Sequence, residues 1–558
     1  MAECVLLNDD PLSLDERQQL FDDAVATLPA YLGLRPAVDP SAGALVLESP
    51  AYAQPLNIAM AAYLSAVGQP TLATSPQELF EGVLEHEANY WERTAKLSTI
   101  NLDLDAPDLE PLVALATLTD ADEPEAITLL DGVDYLNALQ RRKADRWLCQ
   151  VYPSEEGRWG HLLPDRLGEY VVAKQLTSLP DLVGAVISPE RTPQMLVRPL
   201  RVLSRACVDH EDLAQVVQSL LEEVLLPLSA QCRYLADSES ESSAALPFIE
   251  ALARLVEAIG VSCQPELLVK VSRGFGLGNR VLLPLCLVVD RAAVDATKER
   301  TNPALRAEAV HNYAISLADV GRRDEALAPA KEALDLRRLL AEANPAAYLP
   351  DLAGSLHNYA IRLADVGRRD EALAPAKEAL DLRRLLAEAN PAAYLPRLAG
   401  SLNNYAISLA EVGRRDEALA PAKEALDLRR LLAEANPAAY LPDLAMSLNN
   451  YAISLAEVGR RDEALAPAKE ALDLRRLLAE ANPAAYLPDL AMSLNNYAIR
   501  LGEVGRRDEA LAPAKEALDL RRLLAEANPA AYGRQLEKAR ETLSYILRAL
   551  GRDDDTED

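Results

Sequence analysis

Through the second half of the chain, apolar residues recur at helical spacing. Leu444, Leu448, Tyr451, Ala452 and Leu455 stand at i, i+4, i+7, i+8 and i+11, which is one face of an α-helix. Gly459 follows and ends that helix, because glycine takes the left-handed conformation without steric cost. Asp462 is the expected N-cap of a second helix, its carboxylate accepting from free N–H groups. That helix sets Ala464, Ala468, Ala471 and Leu472 on one side and Lys469, Asp473, Arg476 and Glu480 on the other. The charged side predicts a solvated ladder of i,i+3 and i,i+4 pairs. Asn482-Pro483 stops the helix. Pro467, beyond its first turn, removes one backbone hydrogen bond and predicts a slight bend.

The same pattern occurs five times. Asn-Tyr-Ala begins at Asn312, Asn358, Asn404, Asn450 and Asn496, in steps of 46 residues, and GRRDEALAPAKEALDLRRLLAEANPAAY is repeated five times. A fixed period of this length predicts a solenoid whose stability comes from contacts between neighbours. Leu448, Tyr451, Ala452, Leu455, Gly459, Ala464 and Ala471 match the large, apolar, small, aromatic, turn-glycine and small positions of the tetratricopeptide repeat, which residues 301–532 resemble. Two departures stand out. Ala468 replaces the family's usual aromatic, and each unit is about 12 residues longer than the common repeat. The length is similar to that of kinesin light chains and of bacterial multidomain signalling proteins. The resemblance implies a right-handed superhelix with first helices on the concave face. Residues 533–558 are expected to form a polar capping helix and an acidic tail, DDDTED.

The first helices carry paired polar residues. Asn312, Asn358, Asn404, Asn450 and Asn496 are preceded by His311, His357, Asn403, Asn449 and Asn495. An amide donates and accepts, so it matches a peptide backbone without reading its sequence. The resemblance to long repeats implies that these five asparagines hold an extended peptide. The alternative is that each bonds to the neighbouring helix and fixes stacking. One further concave position varies between copies, as Ser316, Arg362, Ser408, Ser454 and Arg500. Arg362 and Arg500 therefore join the candidate peptide-binding residues.

Residues 1–300 also read as helical. PLSLDERQQLFDDAVATL has Ser13 as its cap, and SPQELFEGVLEHEANYWERTA has Ser75. The run RWLCQVYPSEEGRWGHLLPDRLGEYVVAKQL predicts helices around a short strand pair near Glu156-Gly157, the outline of a winged helix. ADSESESSAALP reads as a linker. The expected divisions are 1–74, a helical segment; 75–180, winged-helix-like; and 181–300, a helical arm. PLSLDERQQLF, SPAYAQPLNIAMAA and LLPDRLGEYVV resemble the segments that follow the ATPase core in STAND (NACHT-like) signalling ATPases. The resemblance implies that Pro55 packs on adenine, although Ala53 stands where the family has glycine. Pro164 stands where relatives carry a phosphate-sensing histidine, with His161 nearby. The fold class is thus mostly all-α: helical and winged-helix-like domains, then an α-solenoid.

The phosphate loop of those ATPases is absent, since no G-x-x-x-x-G-K-[ST] occurs. Val5-Leu6-Leu7 before Asp9-Asp10 is a weak Walker B match. GFGLG at 274–278 lacks the dinucleotide spacing and reads as a turn. No catalytic set stands out, and His86 and His161 read as packing or surface residues. The six cysteines are scattered without a C-x-x-C. Cys207 and His210 are two potential ligands where a metal needs more. No catalytic residue, metal or cofactor is therefore expected. The net charge is −29. Residues 1–300 carry 23 basic against 45 acidic residues, a net −22. That excess disfavours nucleic acid, whose phosphates need Lys and Arg. No run of about 18 consecutive apolar residues suggests a membrane span, and the start lacks a basic signal region. The expectation is a cytoplasmic, non-enzymatic scaffold or sensor that binds a protein or peptide within a STAND-like bacterial system. The alternatives are the C-terminal portion of such an ATPase and a winged-helix transcription regulator.

Overall fold

The computed structural model describes residues 13–31, 49–52, 54–67, 69, 73–119, 123–154, 158–163, 165–238, 242–275, 279, 281–298, 302–527 and 529–552. Among them there are helices and no strand. The chain divides into two compact units, Met1–Arg300 and Thr301–Asp558.

In the second unit each repeat is a pair of antiparallel helices. The first helices are Pro303–Asp319, Pro345–Asp365, Pro391–Glu411, Pro437–Glu457 and Pro483–Glu503. The second helices are Arg323–Ala343, Arg369–Ala389, Arg415–Ala435, Arg461–Ala481 and Arg507–Ala527, and Pro529–Ala549 closes the stack. Repeats 2–5 thus contain two helices of 21 residues each. The 46-residue period is long because both helices are extended, and the joining turns are short.

Local chemistry sets the boundaries. Gly459 has φ 83°, as the first turn requires. Asp462 is not the N-cap. Arg460 holds that position without a side-chain cap, and Asp462 lies in the first turn. There its charge still complements the helix dipole. Asn482 ends one helix and caps the next, accepting from the Ala485 N–H at 3.2 Å. Pro483 then occupies the first turn, where its missing N–H costs nothing. Helix Arg461–Ala481 runs unbroken through Pro467. Ala464, Ala468 and Ala471 are buried, and their small side chains let the helices approach closely. Each junction repeats one cluster, such as Leu426, Leu444, Leu448 and Ala471 with Tyr451 partly covered. Successive second helices are also tied by ion pairs: Arg338–Glu378 (2.6 Å), Arg384–Glu424, Arg430–Glu470 (2.6 Å) and Arg476–Glu516.

The first unit is a helical assembly around buried Trp91, Trp147 and Trp159. Ser75 caps Pro76–Ala95 through the Glu78 N–H, and Ser13 accepts from the Glu16 N–H ahead of Leu14–Tyr31. The expected strand pair does not appear among the described residues. Residues 155–157 lie outside them, and Gly160 N–H donates to the Tyr152 carbonyl at 2.7 Å. The expected linker is shorter than read: helix runs to Asp237 and resumes at Ser242. Glu211–Asp237 is long and apolar enough to cross a membrane, yet Leu213, Val217, Leu221, Leu225 and Leu228 are buried inside this unit. The Val5–Asp10 segment, Ala53, Pro164, most of GFGLG and the DDDTED tail lie outside the described residues.

Candidate functional site

The paired polar residues sit where successive first helices meet, and helix register decides what each one touches. Asn403 and Asn449 are each 2% exposed. Each donates its amide to a serine of the next repeat, Asn403 Nδ2 to Ser447 Oγ and Asn449 Nδ2 to Ser493 Oγ, both at 2.7 Å. The following asparagine reaches back. Asn358 Nδ2 lies 3.4 Å from His311 Nε2, and Asn404 Nδ2 lies 3.1 Å from His357 Nε2. An amide N–H there requires an unprotonated Nε2, so the ring proton of His311 sits on Nδ1, 3.5 Å from Ser355 Oγ. Arg337 Nη1 donates to that same hydroxyl at 2.8 Å.

Replacing histidine by the shorter asparagine changes the seam. Asn403, Asn449 and Asn495 each leave a buried Oδ1 without a hydrogen-bond partner. Asn450 and Asn496 are half-buried and make no hydrogen bond to the protein among the described residues. Asn312 is half-buried and engaged within the protein. Four of the five expected ladder residues therefore fall into two sets. Asn358 and Asn404 serve the stacking contact, while Asn450 and Asn496 keep their amides available.

Arg362 and Arg500 are largely covered and paired one turn on, with Asp365 at 3.4 Å and Glu503 at 3.0 Å. Their Nε atoms are buried and unpaired. Burial lowers the Arg500 pKa, against the pull of Glu503 and Glu457. Burial also lowers the imidazoles, His311 to about 3 with Arg337 assisting, and His357 to about 4 with Arg383 and Arg362 assisting.

A second set, unrecognised from the sequence, is one arginine per junction, buried at Arg337, Arg429, Arg475 and Arg521 and half-buried at Arg383. Arg337 donates to Ser355 and to the Asp351 carbonyl, Arg429 pairs with Asp443 at 2.8 Å, and Arg475 pairs with Asp489. These arginines are identical in every copy, so no contrast between copies marks them.

Differences between repeats 2 to 5 are confined to the first helices. They include Asp351/Arg397/Asp443/Asp489, Gly354/Gly400/Met446/Met492, Arg362/Ser408/Ser454/Arg500 and Asp365/Glu411/Glu457/Glu503. Spaced at i, i+3, i+11 and i+14, these four positions form one stripe of a helix. The second helices also expose residues, including Lys331, Asp335 and Leu339, the last 64% exposed. None of those differs between copies.

In the first unit Pro55 opens helix Pro55–Ala66 and is half-buried. His86 packs edge-on against Tyr63 with centroids 5.5 Å apart. His161 lies 3.7 Å from Asp165. Cys207 is buried, which pushes its thiol up to about 12.

Residues 352–391, 398–437, 444–483 and 490–529 match the tetratricopeptide repeat family. No curated protein matches the chain in sequence. Solved structures with a similar arrangement include a kinesin light chain-like protein of Podosopora anserina with nearly identical TPR-like repeats. It is 16% identical with a TM-score of 0.33, covering 42% of this chain and all of that one. A STAND protein with a tetratricopeptide repeat sensor from Pyrococcus horikoshii is 13% identical with a TM-score of 0.36, covering 96% of this chain and 70% of that one. Aspartyl phosphate phosphatase F from Bacillus subtilis is 14% identical with a TM-score of 0.37, covering 74% and 93% respectively.

Proposed function

We propose that this array of tetratricopeptide repeats is a polypeptide-binding scaffold or sensor, with its ligand lying along the first helices. The observation that carries this reading is where the copies differ. Drift alone would alter exposed residues on both helices of a unit. Instead the exposed second-helix residues are identical, and four of the six changed positions lie on one stripe of the first helices. A surface that meets an irregular ligand needs a different residue at each rung, whereas stacking needs the same one. Along that stripe, Asn450 and Asn496 offer amides that suit a peptide backbone. Side chains beside them, such as exposed Met446, would supply specificity.

In this reading the protein acts by binding, without catalysis or cofactor, in the cytoplasm. Its place is a STAND-like bacterial signalling system, with residues 1–180 related to the segments that follow an ATPase core. The support for that place is the sequence resemblance of those segments. Nucleic acid is disfavoured by the −22 charge of residues 1–300.

The test is photocrosslinking on the full chain. Peptides selected from a random library are added to variants carrying a benzophenone side chain at Met446 or at Leu477. Crosslinking at 446 and none at 477 is expected. Equal crosslinking at both, or crosslinking at 477 alone, would overturn the proposed face.

A further inference from the structure

The near-identical repeats act as controls for one another, and one junction breaks their charge pattern. At four junctions the buried second-helix arginine feels a carboxylate. Arg337 is influenced by Asp351 and Glu308, Arg429 by Asp443, Arg475 by Asp489 and Arg521 by Asp489. At the junction of repeats 2 and 3 the aspartate position is Arg397. Arg383 Nη1 donates to Ser401 Oγ and to the Arg397 carbonyl at 3.3 Å, and among the described residues neither guanidinium has an ion pair. Burial and the facing Arg397 push Arg383 down to about 10.

The acid that assists Arg337, Glu308, is unique to the first copy; the later copies carry Gly354, Gly400, Met446 and Met492 at that position. One repeat on, a Cβ at Gly400 would lie 3.9 Å from Arg429 Nη2, so this position faces the junction arginine. A Cβ at Gly354 would meet nothing within 4 Å, which leaves open space beside Arg383. Arg383 and Ser401 thus meet beside Arg397 where the junctions of repeats 1–2, 3–4 and 4–5 place an aspartate. Burying an arginine without a counter-ion is costly, and a bound anion removes that cost.

We propose that Arg383, Arg397 and Ser401 form an oxyanion site, taking the carboxylate or phosphate group that stands in for the aspartate of the sister junctions. The fork of a guanidinium matches either group with two parallel hydrogen bonds. Arg397 and Gly354 are positions of the variable stripe, so the site deepens the polypeptide reading, and simple anions test it apart from that reading.

The experiment is calorimetric titration of the full-length protein and its Arg397→Asp variant, using inorganic phosphate and, separately, hexaglutamate at matched ionic strength. Arg397→Asp restores the arrangement of the sister repeats, so it should fold; Arg397→Ala serves as a second variant with no new carboxylate. The wild type should bind at least one probe, with affinity at least tenfold weaker in Arg397→Asp and intermediate in Arg397→Ala. Binding of phosphate alone assigns the site to a phosphoryl group. Binding of hexaglutamate, whether or not phosphate competes, assigns it to a carboxylate-bearing chain. Equal affinity of wild type and Arg397→Asp for both probes, or no binding of either by the wild type, would overturn the site.

Discussion

Asn403 and Ser447 lie 44 residues apart in sequence and meet at 2.7 Å in a buried hydrogen bond between two repeats. Three residues beyond Ser447, Asn450 has the same chemistry and no side-chain hydrogen bond among the described residues. The two amides therefore answer to different measurements. Asn403→Ala removes a buried bond and should weaken the junction of repeats 3 and 4 by about 1–2 kcal/mol. Because a repeat array opens locally, the change is best read as faster amide hydrogen exchange in helices Arg415–Ala435 and Pro437–Glu457.

Asn450→Ala with Asn496→Ala should leave exchange and melting within about 0.5 kcal/mol of wild type. The affinity for a selected peptide should fall roughly fivefold per asparagine, as expected for about 1 kcal/mol per hydrogen bond. A large loss of stability with unchanged affinity would return both residues to a stacking role.

The two histidine rungs give the array a pH dependence on the acid side. Burial, helped by Arg337 at one rung and by Arg383 and Arg362 at the other, holds His311 at about 3 and His357 at about 4. In the unfolded chain each titrates near 6.5. Below that pH the unfolded state takes up protons that the folded state refuses. Stability then falls with pH, by up to about 1.4 kcal/mol per unit for each histidine, until the folded values are reached. Above pH 7 the histidines contribute no slope. His311→Asn with His357→Asn installs the residue of the later repeats. Denaturant melts between pH 6.5 and 4 should show a shallower decline in this variant, and matching slopes would exclude the histidines as the cause.

The turn glycines can be tested without disturbing packing. Gly459 has φ 83°, and a Cβ there would touch nothing within 4 Å. Gly459→Ala therefore isolates the backbone penalty, expected at about 1 kcal/mol. Gly459→Asn should cost less, because asparagine tolerates the left-handed region. Equal stability of all three proteins in chemical denaturation would contradict the assigned turn.

Much of this array was legible in the sequence because each feature recurs with a fixed period. Helical spacing from Leu444 to Leu455, the stop at Gly459 and the buried alanines are short-range signals. Asp462 was misplaced because capping depends on where the backbone turns, and the turn ended two residues earlier, at Arg460. The division of the asparagine ladder was not legible. It arises because a histidine reaches the asparagine of the next first helix, whereas an asparagine in its place reaches only the serine one turn earlier, a distance that no single helix reveals. The junction arginines were hidden for the opposite reason. Arg337, Arg383, Arg429, Arg475 and Arg521 look like surface charge within one helix, and only stacking buries most of them. In the first unit, the strand pair expected near Glu156 does not appear among the described residues, and the chain beside residues 155–157 is closed instead by side-chain contacts that a local pattern does not reveal.

That closure supplies the last prediction. Asp145, 6% exposed, accepts from Arg158 Nε at 3.0 Å, Arg158 Nη2 at 2.7 Å and Trp159 Nε1 at 3.1 Å. One carboxylate thus pins the chain just past residues 155–157 to helix Ala138–Val151. Trp159 is fully buried and Arg158 partly so. Removing the acceptor leaves a charge and an indole N–H unsatisfied at once. Asp145→Ala should therefore destabilise the first unit by about 3 kcal/mol, the cost of breaking a buried pair. Asp145→Asn keeps an acceptor without the charge and should lose less. Tryptophan fluorescence during urea unfolding follows this unit directly, because all three tryptophans lie in it. A midpoint unchanged in Asp145→Ala would mean that residues 158–160 are held by the backbone, through the Gly160–Tyr152 hydrogen bond, rather than by the carboxylate.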